Sequence, residues 1–230
     1  MIKRLLFSFV LLVSMASITE AQIKEPALKI EKLVLKKNQK YTFGGKDSVV
    51  SINIDTLVMN DKSSIIFFNK KDVNLLIKHF VIGKNCLITG TDGKNNGTNL
   101  TLSAGFAEMK KLIVDVSGQD AKLANRKYPN GNGGKVAVNY LASGVKPSLS
   151  DGSAGNLEIR NRAGGYRTNA QSDLYVVYSR IRSGSPGRPL SQLPQGQVYS
   201  GNIGLDGKVD VNLVTDLASA GKLKPSEVSE

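Results

Sequence analysis

Three short apolar triplets, Leu33-Val34-Leu35, Leu57-Val58-Met59 and Phe80-Val81-Ile82, begin 24 and then 23 residues apart. Each is followed by a polar turn and a second apolar stretch: Tyr41-Thr42-Phe43, Ile65-Ile66-Phe67 and Leu87-Ile88-Thr89. Upstream, Ser51-Ile52-Asn53-Ile54-Asp55 and Asn74-Leu75-Leu76-Ile77-Lys78 occupy matching places. A recurring unit of this length is one supersecondary element that buries its apolar face only against its neighbours. The runs are rich in β-branched residues and Phe, carry no helix-period stripe, and are separated by turn residues such as Asn60-Asp61-Lys62 and Gly83-Lys84-Asn85. The spacing predicts an all-β solenoid with coils of about 23 residues, each contributing two or three short strands.

From about residue 117 the strands continue but the turns lengthen. Gly97-Thr98-Asn99-Leu100-Thr101-Leu102, Gly134-Lys135-Val136-Ala137-Val138, Gly155-Asn156-Leu157-Glu158-Ile159 and Gly207-Lys208-Val209-Asp210-Val211 share an outline of glycine, polar residue and alternating strand. The loops between them, such as 117–133 and 143–154, are rich in Gly, Asn, Ser and Asp, and glycine is expected there to supply positive φ at tight corners. An antiparallel β-sandwich is the competing fold, because short strands at regular spacing also mark that class. Residues 24–32 read as a short helix or a leading strand. The segment from Leu213 to Leu223 reads as a short amphipathic helix capping the far end, and residues 225–230 as a flexible tail.

The coil length, with Gly131-Asn132-Gly133-Gly134 and Asp151-Gly152-Ser153-Ala154-Gly155-Asn156-Leu157 leading into strands, resembles exported glycine-rich proteins of Gram-negative bacteria. Those are right-handed parallel β-helices of the pectate-lyase-like superfamily. The resemblance covers roughly residues 27–215 and implies a single-stranded right-handed parallel β-helix.

The N-terminus has the parts of a cleavable secretion signal over residues 1–21. Lys3 and Arg4 precede an apolar run from Leu5 to Ile18, and Thr19-Glu20-Ala21 puts a small residue before a cut that leaves Gln22 first. The run is too short for the roughly 20 residues that span a bilayer, and no cysteine near the cut offers a lipid anchor. The domain is then 22–224, in the periplasm, at the cell surface or outside the cell. Cys86 is the sole cysteine, so no internal disulfide forms, and its apolar neighbours Leu87 and Ile88 point to a buried thiol.

The chain carries a formal charge of +12. Losing Lys3, Arg4 and Glu20 leaves +11 (12 − 2 + 1). A basic exported protein suits an anionic polysaccharide or an acidic envelope protein, with no nucleic acid expected.

The catalytic inventory is thin. His79 is the only histidine and lies in a strand, where a structural or surface role is expected. One His and one Cys make no zinc site, and neither metal nor cofactor is expected. Calcium-dependent lyases and glycosidases, which the resemblance raises, need clustered acids. Asp115, Asp120, Asp151 and Asp173 lie in separate segments, and Arg180-Ile181-Arg182, similar to a basic motif of polygalacturonase-type enzymes, lacks acidic partners. The reading therefore leans away from an enzyme, with a polysaccharide lyase or glycoside hydrolase-like β-helix as an alternative. A scaffold subunit of an outer-membrane assembly is another.

The sharpest local signal is a segregation of arginine. Arg160, Arg162, Arg167, Arg180, Arg182 and Arg188 fall in a stretch with no lysine and one acid, interleaved with Tyr166, Tyr175 and Tyr178. Guanidinium groups bind carboxylate or sulfate bidentately and tyrosine adds a flat face with a polar rim. Arg160 and Arg162 are expected on one side of their strand, as are Arg180 and Arg182. These nine residues form the candidate binding face; a solvated strand face that blunts aggregation is the alternative. The lysine pairs at turns, Lys36-Lys37, Lys70-Lys71 and Lys110-Lys111, read as solubilising.

Overall fold

The computed structural model describes residues 27–121, 128–149, 155–165 and 203–217. They form eleven strands. In chain order these are β1 (Leu28–Leu35), β2 (Lys40–Phe43), β3 (Val49–Met59), β4 (Ser64–Phe68), β5 (Asp72–Ile82), β6 (Cys86–Thr91), β7 (Asn99–Met109), β8 (Lys111–Asp115), β9 (Val136–Leu141), β10 (Asn156–Arg160) and β11 (Val209–Val214). One six-stranded sheet runs β1-β3-β5-β7-β9-β11 and a five-stranded sheet runs β10-β8-β6-β4-β2. Odd strands stack on odd and even on even, so the chain winds as a β-solenoid. A coil is one odd strand followed by one even strand.

Every strand ladder among the described residues is parallel, which overturns the antiparallel sandwich. The reason is in the spacing: a strand's partner lies one coil later, so the intervening chain must cross the other sheet before returning. Register follows the repeat. Leu33, Val34 and Leu35 pair with Leu57, Val58 and Met59, which pair in turn with Phe80, Val81 and Ile82. In the smaller sheet Tyr41 pairs with Ile65, but Ile65 pairs with Ile88, one residue beyond the start of the apolar triplet at Leu87.

Each eleven-residue strand turns a corner within itself. In β3, Ile52, Ile54, Leu57 and Met59 are buried, a step of three breaking the alternation at Asp55-Thr56. β5 repeats this with Ile77 and Phe80 buried either side of exposed Lys78-His79. In β7 the step comes later, at Ala107-Glu108, and the β5–β7 register shifts around the pair Phe80–Phe106. Those rings stack at 5.7 Å and Phe43 on Phe67 at 5.4 Å, contacts that add roughly 0.5–1.5 kcal/mol each beyond area burial. The inward rows Leu28, Ile52, Leu75, Leu102, Val138, Val211 and Ile30, Ile54, Ile77, Ala104, Tyr140, Leu213 run through the stack.

Positive φ falls on asparagine and lysine more than on the glycine-rich loops. Asn38, Lys62 and Asn85 occupy the same turn position in three successive coils at φ 61°, 58° and 54°. Gly131, Gly133 and Gly134 are outside the positive-φ set, which corrects the role expected of them. They are needed for close approach: a Cβ at Gly131 would lie 1.6 Å from the Asn95 carbonyl oxygen, and one at Gly133 1.8 Å from that of Asn161.

The segment expected as a helix from Leu213 is strand at its start: Leu213 and Val214 pair with Tyr140 and Leu141 in β11. Tertiary pairing overrides the weak 3.6-residue pattern there. Its remainder past Leu217, the secretion signal and the tail lie outside the described residues. Residues 28–32 belong to the leading strand β1. Among the described residues no helix is long and apolar enough to cross a membrane.

Candidate functional site

Of the nine residues in the arginine–tyrosine set, two fall within the described chain. Arg160 is the last residue of β10, beside Asp115 of β8. Its guanidinium is exposed but occupied: Nε donates to Glu158 Oε1 at 2.7 Å and a terminal nitrogen lies 2.6 Å from the same oxygen. Glu158 Oε2 takes Lys111 Nζ at 3.0 Å. The Lys111 hydrogen bond first, and then that of Arg160, hold the Glu158 carboxyl below the usual carboxylate range. Arg162 is exposed but lies past the end of β10, where strand alternation no longer places it beside Arg160, and its carbonyl accepts Gly118 N–H. Tyr166, Arg167, Tyr175, Tyr178, Arg180, Arg182 and Arg188 lie outside the described residues.

Of the four acids considered for catalysis, two are among the described residues. Asp115 accepts the Ser117 N–H and Asp120 the Gly165 N–H, both bracing loops. Asp151 and Asp173 lie outside the described residues. His79 is exposed on β5 opposite Thr56. Among the described residues no group of three or more His, Cys, Asp or Glu is placed to hold a metal ion. Cys86 is fully buried; its thiol donates to the carbonyls of Met59 and Asn60, each at 3.3 Å, and burial pushes its pKa up.

What winding adds is a basic corner. The turns joining odd to even strands, with the residues opening each even strand, are 36–40, 60–64, 83–87 and 110–111. They carry Lys36, Lys37, Lys40, Lys62, Lys84, Lys110 and Lys111 against one acid, Asp61. Stacked coils repeat at about 4.8 Å, so four successive coils present lysine along about 15 Å of one edge. All but Lys111, which is half-buried, are exposed. Glu158 links Lys111 to Arg160, which stands away from this corner at the far end of β10, level with Asp115.

Backbone bonds fix this corner. Asn38 N–H donates to Asp61 O at 3.0 Å, Lys62 N–H to Lys84 O at 2.8 Å and Lys110 N–H to Ile82 O at 3.0 Å. The Asp61 carboxylate accepts Lys84 N–H at 2.7 Å. That bond first, then the charges of Lys110, Lys84 and Lys37, lower its pKa against a smaller opposing effect of desolvation.

The other two corners are mixed. Within strands, Glu31-Lys32, Asp55 and Lys78 alternate in sign, and Lys78 Nζ lies 2.7 Å from Asp55 Oδ1. On the return turns Lys46, Lys71 and Lys94 mix with Asp47 and Asp92. There Lys70 is buried at 2% exposure, its Nζ donating to the carbonyls of Gly45 and Asp47 at 3.3 and 2.5 Å. Charge is therefore concentrated on one edge of three. The sequence held the signal, since Lys37, Asp61 and Lys84 sit at matching places in the 24- and 23-residue repeat, but as isolated pairs they read only as solubilising.

Comparison with protein-family models, with curated proteins and with solved structures finds no match.

Proposed function

We propose that this chain is an exported, non-enzymatic β-solenoid of the bacterial envelope or extracellular space that binds a linear anionic glycan along its lysine corner. The observation that carries this reading is the row Lys36/Lys37, Lys62, Lys84 and Lys110/Lys111, one or two cations per coil at about 4.8 Å intervals. A polymer of uronate or sulfated sugars bears anionic groups at a comparable repeat, so successive groups meet successive coils without either partner bending. The contact is electrostatic, rim-like and salt-sensitive, with affinity arising from the number of charges engaged. Arg160 and Arg162 lie off this edge, at and beyond the other end of the even strands, level with Asp115, and the arginine–tyrosine segment that follows is proposed as a separate contact.

The catalytic alternative lacks an equivalent support. Glycoside cleavage needs two carboxyl groups flanking one bond. The groove at the last coil, about 480 Å³ and lined by Leu149, Asn156, Leu157, Glu158, Ile159 and Val209, has one acid. That acid, Glu158, already faces two cations.

The test is retention on immobilised polyuronate, with a neutral glucan as reference. Replacing Lys36, Lys37, Lys62, Lys84 and Lys110 by Gln should move elution to markedly lower salt. Replacing Lys46, Lys71 and Lys94 by Gln, on the mixed corner, should change it little. Equal loss from both sets would reduce the reading to net charge, and no loss from the first set would remove it.

A further inference from the structure

The two apolar rows that run through the larger sheet stop at its edges without a last partner among the described residues. At the first edge Leu28 is 49% exposed; at the last, Leu213 is 60% exposed, and beside the rows Val209 is 39% exposed. Among the described residues β1 and β11 are the edge strands of one continuously parallel sheet, and neither has a further strand paired to its outer side. The smaller sheet ends likewise at β2 and β10. Beside β10 lies the groove formed with Leu149, Ile159 and Val209, and Leu149 is 61% exposed.

The ends are also opposite in charge. Residues 27–43 carry five lysines and one glutamate, a sum of +4 (5 − 1). Residues 155–165 and 203–217, which hold β10 and β11, carry one lysine and two arginines against three aspartates and one glutamate, a sum of −1 (3 − 4).

We infer that the chain associates head to tail, the β1 edge of one copy adding to the β11 edge of another as the next strand of the parallel sheet. Continuing the internal register sets the incoming Leu28 on Val211 and Ile30 on Leu213, which extends both apolar rows. On the outer face the incoming Lys29 falls beside Asn212 and diagonal to Asp210, a cross-strand pairing of opposite charge. Open parallel edges are templates for this kind of addition. Because the surfaces joined are different, the contact does not close on itself, and it can propagate into a short filament. Strand addition supplies directional hydrogen bonds, and apolar contact between the end coils supplies the driving force. The inference stands independently of the glycan reading, although a stack would carry the basic edge onward from copy to copy.

The experiment is sedimentation velocity of the purified protein over a hundredfold concentration range. The expected result is a weight-average mass that rises above the monomer with concentration and falls with added salt. Two single variants, Leu28→Lys and Leu213→Lys, block one end each and are checked by thermal melting for retained fold. Each alone should stay monomeric, and an equimolar mixture should give a 1:1 dimer and nothing larger, because one open end of each kind remains. A wild-type protein monomeric throughout overturns the inference, whatever the variants do. So does a blocked variant that still dimerises alone, which would signal a symmetric contact, or a mixture that does not associate.

Discussion

The carboxylate of Asp61 accepts the backbone N–H of Lys84 across one coil, at 2.7 Å, in the middle of the lysine edge. The single acid of that edge is thereby committed to structure. It ties the second turn to the third and relieves part of the repulsion among Lys37, Lys84 and Lys110.

Acid sensitivity follows from its depressed pKa. A carboxyl whose folded pKa lies below its unfolded value stabilises the fold above the unfolded value, near 3.9, and the stabilisation is lost as pH falls through the folded value. Thermal melts taken from pH 7 down to pH 2 should show Asp61→Asn with a lower melting temperature at pH 7 and a shallower decline below pH 4. A decline as steep as that of the unsubstituted chain would rule out this role.

Lys62 holds a left-handed backbone, φ 58°, at a position where the coils before and after it use Asn38 and Asn85. Asparagine adopts that region more readily than lysine because its short side chain bonds locally. Lys62→Asn should raise stability by about 0.5–1 kcal/mol in urea denaturation, while removing one cation from the edge. A destabilised variant would mean that the Lys62 side chain has a structural partner.

The glycine loops make a contrasting pair. Gly131→Ala drives a Cβ to 1.6 Å from the Asn95 carbonyl oxygen, whereas a Cβ at Gly44 meets nothing within 4 Å. Equilibrium unfolding should show a loss of about 3 kcal/mol or more for Gly131→Ala and a change within about 0.5 kcal/mol for Gly44→Ala. Comparable effects at both sites would contradict the close-packed loop.

Cys86 should resist chemistry until the chain unfolds. Its thiol is buried, bonded to two carbonyls and raised in pKa, so the nucleophilic thiolate is scarce. Iodoacetamide at pH 8 should leave the native protein unlabelled over hours and label it within minutes in urea. Rapid labelling without denaturant would show that the turn at 60–63 opens.

Much of the fold was legible because inward positions repeat. The triplets at 33, 57 and 80 predict three coils and their register, and that register is what the sheets adopt. Less legible was the turn chemistry: a run such as Gly131-Asn132-Gly133-Gly134 looks the same whether glycine serves positive φ or close backbone contact. Only the neighbouring carbonyls, brought from Asn95 and Asn161, decide. The segment at Leu213 carries both a strand alternation and a helix-like spacing, and pairing with β9 selects the strand. For the site, the local density of arginine drew attention to 160–188, of which Arg160 is partly neutralised by Glu158, a residue just outside that window. The lysine edge is nonlocal: its members lie about 23 residues apart and become a row only when the coils stack.

The most direct test of that edge is a titration of the ¹⁵N-labelled protein with a defined oligouronate, following backbone amide shifts. The account predicts shifts clustered at 36–40, 60–64, 83–87 and 110–111, reversed by 0.5 M salt on the scale expected from screening. Shifts confined to another corner, or none at millimolar ligand, would contradict it.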